Sequence, residues 1–584
     1  MTGVSAQDMA RPNLSRTVAA VAIVAAVCFA CNQFRLASNR YGSGKPWSPL
    51  SGVFGHVAQG NGGDDSVWIN QGIKDAIRSG KKEYVLPSGD ISVMNPIVVP
   101  GGLHGFTLKG AGSDQTTIHT PNPKLREAIT FGADVQLHNN WGLTNQPTAQ
   151  VQTASAGSNE ITLSGDFPIH VGGTYVIWDQ WLLHPSTTNV ARIMNRAEIV
   201  KVKAYDSRAR KVTVDVPLGR DYLAAPQLSD VSRSISTDVT IRDIGFNGQV
   251  GGTASGGLVN ISMADGATLS NLKVTNFIGA GVSVTNCRSV TMDHIAVSGA
   301  FSKAAGAGYA VLITRDRFVK ATNIDSRDSR HGVIIHGGSM DVDVENCTSE
   351  DGGDFDTHGM DERRITFRND SSKQGVGIGN GAWWGGGQDF TVDHCTFGAE
   401  FLGAAVQRVH FIDSELGPVT PMSATSQQTE YGAGYADQID FKNCTITGEN
   451  DLIKETPFAG SISFNNCKFV ATRTTWGNVI GLKSMKVNLA FNTCDFIGHS
   501  GRAFDALIQI ANPDPDVKIT IQNCRFISEG ASSRAVRIAE GALGTIKLEN
   551  NVFAAGASRG EFLENKGSTP VANDQNRVVS GTGG

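Results

Sequence analysis

Charge is scarce in this chain of 584 residues: 18% of them are Asp, Glu, Lys or Arg, and the net charge is −5. No stripe of Lys or Arg runs along it, so the electrostatic footprint of a nucleic-acid binder is missing. Trp and Tyr are few, 8 of each. No Cys-x-x-Cys zinc pattern lies in the body of the chain. A leucine ladder and a helical half-repeat are also missing, which counts against leucine-rich repeats. Glycine is abundant, at 68 residues, as suits a protein rich in turns and strands.

What the chain does contain is one short pattern repeated thirteen times between Ile244 and Asn551. Alternating apolar residues lead into a polar residue, often Asn or Asp, followed by a small or apolar position. That position is held by Ile244, Leu272, Ile295, Ile324, Cys347, Asp370, Cys395, Ser414, Cys444, Cys467, Cys494, Cys524 and Asn551. The intervals run from 19 to 30 residues, a period that marks a stacked solenoid. Alternation with period two inside each copy, as in Phe464-Asn465-Asn466-Cys467-Lys468-Phe469, makes the unit a strand. Strands and turns stacked at this period predict an all-β, right-handed, single-stranded parallel β-helix, the hand following from the usual chirality of parallel connections. Equivalent residues of adjacent coils would lie about 4.8 Å apart. An Asn column can then hydrogen-bond from coil to coil, and Cys can fill a narrow inward position as a small hydrophobe. The seven cysteines of the body read as free thiols or occasional cross-coil pairs.

The first residues read differently. Arg11 and Arg16 precede an apolar run over residues 18–30, with Cys28 and Cys31 at its end. Residues 1–31 thus read as a secretory signal, with a short membrane anchor or a lipidated Cys31 as alternatives. The chain is expected to be secreted or attached to the cell envelope. Residues 32–60 form a linker, and 61–149 hold a capping helix and first coils. Ile69, Ile73, Ala76 and Ile77 share one helical face, with Asp65 or Ser66 as N-cap and Gly80 past the end. Residues 150–230 interrupt the period with a β-rich insertion, 231–555 form the regular solenoid, and 556–584 read as a flexible tail.

Asp65, Ile69 and Ile73, then Leu86-Pro87-Ser88-Gly89 and Leu108-Lys109-Gly110-Ala111-Gly112 through Thr116-Thr117-Ile118, resemble the opening of pectate-lyase-superfamily β-helix proteins. That group includes exported polysaccharide lyases and phage tail spikes. The resemblance spans about sixty residues and implies a pectin-lyase-like architecture without fixing a reaction.

Titratable residues concentrate in two adjacent coils: residues 325–332, His336, and residues 351–364. In an extended segment Asp354, Asp356 and His358 share one face while Phe355 and Thr357 take the other. His331 lies seven residues past its reference position and Asp354 seven past the next, so the two should be neighbours. Trp383 and Trp384 offer aromatic surface for stacking on sugar rings. Phe355-Asp356-Thr357-His358 resembles the Tyr-Gly-Phe/Val-Asp-Pro-His motif of alginate C5-epimerases, with Thr357 in place of Pro and Gly353 in place of Tyr. Arg330-His331-Gly332 is similar to a pattern of the same branch.

Removing the proton beside a uronate carboxylate needs a base at that carbon and a cation or proton donor against the carboxylate. His358 or His331 suits the base, Arg330 or Arg327 the neutraliser, with Asp354 and Asp356 in the catalytic group. Arg327, His336, Arg363, Trp383 and Trp384 are the expected substrate contacts. Elimination makes a lyase; return of the proton to the opposite face makes an epimerase. Hydrolysis would use two carboxyls, from Asp354 with Asp356 or Asp328. A tail spike or adhesin that binds or depolymerises surface glycan is the reading from another class. The expected partner is a polysaccharide, not nucleic acid, with membrane attachment through the N-terminus as a further option. No ligand spacing compels a metal or cofactor, although Ca²⁺ among Asp351, Asp354, Asp356 and Asp361 suits carboxylate chemistry. The oligomeric state is not legible.

Overall fold

The computed structural model describes residues 63–132, 146–182, 193–248, 257–304, 306–358, 361–379, 387–402, 406–421, 435–449, 451–453, 459–472, 478–483, 486–498, 506–511, 513–528, 534–555, 560–567 and 569–580. The signal or anchor, the linker, Trp383 and Trp384 fall outside them.

The thirteen-fold column has a backbone cause. The residue immediately before each column position adopts the left-handed conformation, with φ between 49° and 61° from Asp243 and Asn271 through Asn523 and Asn550. Asn and Asp tolerate that region better than other non-glycine residues, which explains their recurrence. Neighbouring side chains also pair from coil to coil: Asn466 Nδ2 donates to Asn443 Oδ1 at 2.9 Å and Asn550 Nδ2 to Asn523 Oδ1 at 2.8 Å. The turn therefore bends the chain and satisfies its own polar groups.

Strands on either side of this turn stack in parallel into a β-helix of about 15 turns. They form a 28-stranded sheet, a 10-stranded sheet running from Ile97–Pro100 to Val419–Pro421, and a 4-stranded sheet over the last coils. The inward faces are apolar. Phe411, Phe441, Phe464 and Phe491 stack at centroid spacings of 4.4, 4.6 and 5.1 Å, each burying a ring worth about 1.5–3 kcal/mol against exposure.

The body cysteines are free and buried, but their column is more than apolar filler. Asp370 Oδ1 accepts the Cys347 N–H at 2.7 Å, Ser414 Oγ the Cys395 N–H at 3.1 Å, and Asn551 Oδ1 the Cys524 N–H at 2.8 Å. Cys524 Sγ does the same for the Cys494 N–H at 3.3 Å. From Cys347 onward the position holds small residues, four of which accept the N–H of the column residue one coil earlier, so Asp370 and Asn551 are regular members of it. Burial in this column pushes the Asp370 carboxyl up to about 7, against two N–H donors that favour its charge.

A helix, α1 (Ser66–Arg78), buries Ile69 and Ile73 in the solenoid core, with Ala76 also buried, and so covers its first coil. Asp64 accepts the Ser66 N–H at 3.0 Å, while Asp65 accepts from Ser92 N and Trp68 Nε1 instead. The insertion is a closed, six-stranded antiparallel barrel from Thr148–Ala154 to Gln227–Asp230. Its own core includes Val151, Ile161, Tyr175, Val200, Val212 and Leu228. Ion pairs Arg317–Glu198 and Arg288–Asp215 and the wholly buried Arg220, which donates to the Gly338 carbonyl, fasten the barrel to the solenoid. The expectation of a flexible tail over 556–584 is corrected. Glu561–Asn565, Val571–Asp574 and Arg577–Ser580 are strands paired in register with the preceding coil, because residues such as Phe562 still carry the inward pattern. No helix among the described residues is long and apolar enough to cross a membrane.

Candidate functional site

Three consecutive strands of the 10-stranded sheet carry the titratable cluster: β1 (Tyr309–Thr314), β2 (His331–His336) and β3 (Asp354–Thr357). Their inward residues lock the register. Phe355 is wholly buried against Phe367 and Phe397, with centroids 6.0 and 5.7 Å away. Thr357 Oγ1 donates to the Gly377 carbonyl at 3.2 Å and accepts the Gly379 N–H at 2.6 Å. Because side chains alternate along a strand, the residues between these anchors face outward and align from coil to coil. Tyr309 pairs with His331 and His331 with Asp354; Ile334 pairs with Asp356; Thr314 pairs with His336, and the His358 N–H donates to the Ile335 carbonyl.

The result is two imidazole–carboxylate pairs side by side. His331 Nδ1 hydrogen-bonds to Asp354 Oδ1, and His358 Nδ1 lies 2.7 Å from Asp356 Oδ2. The rings of His331 and His358 meet edge-on at 5.6 Å, and His336 meets His358 at 5.4 Å. Asp356 is fully buried, and His358 keeps 24% of its side chain exposed, so His358 is the member of that pair a substrate can reach. Burial pushes the His358 pKa down, but the Asp356 carboxylate outweighs it and the net shift is upward. Burial raises the Asp354 carboxyl against the pull of His331. Burial, then His358 and Arg315, depress His336 to about 3, which keeps that ring neutral.

Tyr309 was not among the residues singled out from the sequence. Its ring lies 5.3 Å from His331 and 6.4 Å edge-on from His358, under the Arg330 guanidinium at 5.8 Å. The signal was present in the spacing: Tyr309 precedes His331 by 22 residues and His331 precedes Asp354 by 23, one coil each. The structure also shows why position 353 carries no tyrosine. A Cβ on Gly353 would come within 2.4 Å of Ser349 Oγ and 2.5 Å of Ser329 Oγ, so no side chain fits there. A phenol reaches the cluster from two coils earlier instead.

Other expected residues go elsewhere. Arg327 stands exposed on the 28-stranded sheet, bonded to Asp325. Arg363 is spent on Asp361 and lines a separate groove of about 620 Å³ beside the barrel, with Arg317, Arg364, Asp389 and Arg408. Neighbours in sequence that fall on different sheets part company, which separates Arg363 from His358. Asp354 and Asp361 are turned to His331 and Arg363, and Asp351 sits at an exposed turn, so the four carboxylates considered for calcium do not converge. Two groups among the described residues bring metal-ligating atoms close enough to share an ion: His331 with Asp356 and His358, and Asp393 with His394 and Asp413. The second is mostly exposed.

No protein-family profile matches the chain, and no curated protein matches it in sequence. Solved structures do match. The tailspike protein gp49 of Pseudomonas phage LKA1 superposes with a TM-score of 0.50 at 16% identity, over 85% of this chain and 77% of that one. The tailspike gp61 of Pseudomonas phage phi297 gives 0.52 at 14% identity, over 77% and 72%. The A-module of the Azotobacter vinelandii mannuronan C-5 epimerase AlgE6 aligns over 90% of this chain and 98% of its own, but at a TM-score of 0.30 and 10% identity, too loose to argue from. The chain thus has the parallel β-helix fold that these two phage tailspikes share.

Proposed function

We propose that this protein acts on an acidic polysaccharide outside the cell or at its envelope, transferring a proton at the carbon beside a uronate carboxylate. The observation that carries the reading is the outer face of β1–β3. Two imidazole–carboxylate pairs, a phenol and a guanidinium occupy one patch. Asp356 sits beside His358 Nδ1, which favours a proton on that nitrogen and leaves Nε2 as the base. Arg330 supplies positive charge against the sugar carboxylate, where charge builds up as the proton leaves. Tyr309, whose phenol burial holds protonated, is the acid. Protonating the departing glycosidic oxygen completes an elimination; returning the proton to the opposite face of the carbon completes an epimerisation.

Hydrolysis is less well supported. Asp356 is fully buried, Asp354 is taken by His331, and Asp328 is paired with Lys303 at 2.7 Å. The fold match to two phage tailspikes favours a second reading, a spike or adhesin that holds surface glycan. One experiment separates them: incubate the purified chain with alginate, pectate and bacterial exopolysaccharides. Rising unsaturated-uronate absorbance marks a lyase, and inverted C5 signals in NMR mark an epimerase. New reducing ends without unsaturation mark a hydrolase, and retention on glycan without turnover marks the spike. No change on any substrate rejects the enzymatic reading.

A further inference from the structure

Four buried polar atoms at this site have no hydrogen-bond partner among the described residues: His331 Nε2, both Asp356 oxygens and His358 Nδ1. Burying such groups without partners normally costs about 1–3 kcal/mol each, so their gathering in one place calls for a cause. His358 Nδ1 and Asp356 Oδ2 are 2.7 Å apart, an ion-pair contact without a well-aligned hydrogen bond. We propose that His331, Asp356 and His358 form a binding site for a divalent first-row transition-metal ion.

The donor set fits. One ligand atom from each residue lies within 4.8 Å of the others. Two imidazoles and one carboxylate suit Zn²⁺, Co²⁺ or Fe²⁺ and leave further positions open, whereas Ca²⁺ and Mg²⁺ prefer oxygen ligands. Asp354 bonds His331 Nδ1, the ring nitrogen 3.9 Å from Asp356 Oδ2, and so fixes the ring as an outer support, while Nε2 is the nitrogen left without a partner. Asp356 is wholly buried and His331 nearly so, so the site is built into the sheet rather than strewn over a surface. The proposal shares residues with the proton-transfer reading but not its chemistry. An ion on His358 Nδ1 withdraws that ring from service as a base, so occupancy is expected to suppress turnover.

The test is metal binding by the full chain, stripped with chelator and titrated with Co²⁺ and with Zn²⁺, read by visible cobalt absorption and by melting temperature. One equivalent should bind, raise the melting temperature and, with cobalt, give a d–d band; Ca²⁺ should do neither. His358→Ala, on the most exposed ligand, should keep the metal-free melting temperature and lose the band. Asp354→Asn should weaken binding about 10–100-fold through the outer support. Absence of stoichiometric binding to the wild-type chain, or an unchanged cobalt band in His358→Ala, overturns the site. Turnover on polyuronate is the separate arm. If the ion binds as described and turnover is unchanged or higher, the site stands and His358 as base does not.

Discussion

The coils from Tyr309 to His358 and those from Phe464 to Ser528 share one backbone plan and treat polar atoms in opposite ways. In the later coils Phe464 stacks on Phe491 and Phe469 on Phe496, at centroid distances of 5.1 Å in both cases, and Cys494 and Cys524 keep the inward column. Strand pattern, turn residue and packing all point to one structure there. In the earlier coils the inward face is equally regular, with Val333, Ile335 and Phe355 buried. The outward face instead holds three histidines, two aspartates and a tyrosine, with several buried atoms unmatched. Local rules broken on one face of a sound scaffold are where a functional site is expected, as proposed for this cluster. The comparison separates what the solenoid needs in order to fold from what has been placed on it.

The sharpest way to break that comparison is at His358. If the outward face works and does not hold the fold, His358→Ala should lower turnover by about 10²–10⁴ while shifting stability by no more than about 1 kcal/mol. Paired kinetics and melting curves check this, and a melting point many degrees lower with activity spared would make the imidazole structural. Phe464→Ala should do the reverse, destabilising the chain by about 3–5 kcal/mol in denaturant titrations and leaving the rate per folded molecule unchanged.

Glu400 sharpens the comparison from inside. It stands in the inward column with Val376 and Val419, wholly buried, and neither carboxyl oxygen has a partner among the described residues. Burial raises its carboxyl well above the ordinary value, so the folded chain holds it protonated and pays more as pH rises above the unfolded pKa of about 4.3. Glu400→Leu should therefore stabilise the chain by about 1–3 kcal/mol near neutral pH and by less at pH 4, as read by denaturation at both. Asp370→Asn is the smaller version. A folded value of about 7 against an ordinary 3.8 means its contribution is most favourable below pH 4 and is lost as pH rises through 7. The Asn should match the wild type near pH 4 and exceed it at pH 8.

These residues also show how much was legible. The repeat, the strand assignment and the turn column follow from spacing, because a left-handed turn residue and a two-residue alternation leave direct marks in sequence. The pairing of His331 with Asp354, and the outward grouping of Asp356 with His358, follow from the same period. Tyr309 was hidden because the motif pointed to position 353, where Ser329 and Ser349 leave no room for a side chain. Arg327 and Arg363 were misplaced because closeness in sequence does not say which sheet a residue joins. The closure of the insertion into a barrel depends on pairing between its ends, Thr148–Ala154 with Gln227–Asp230, which no local pattern encodes. The Cys column looked apolar because sulfur hides its acceptor role until Asp370, Ser414 and Asn551 are seen doing the same work.

With His358 as the proposed base, a pH dependence of turnover is expected. A base must be neutral, and the Asp356 carboxylate raises this imidazole above its ordinary value of about 6.5. Activity should therefore rise with pH through an apparent pKa above 6.5, and Asp356→Asn should move that limb downward. The most direct measurement of the central claim is proton NMR of a polyuronate incubated with the protein in D2O. Proton transfer at the outer face of β1–β3 predicts loss of the C5 proton signal, by exchange, inversion or elimination, with wild-type protein and none with His358→Ala. New reducing ends with every C5 proton retained, or the same loss with His358→Ala, would contradict it.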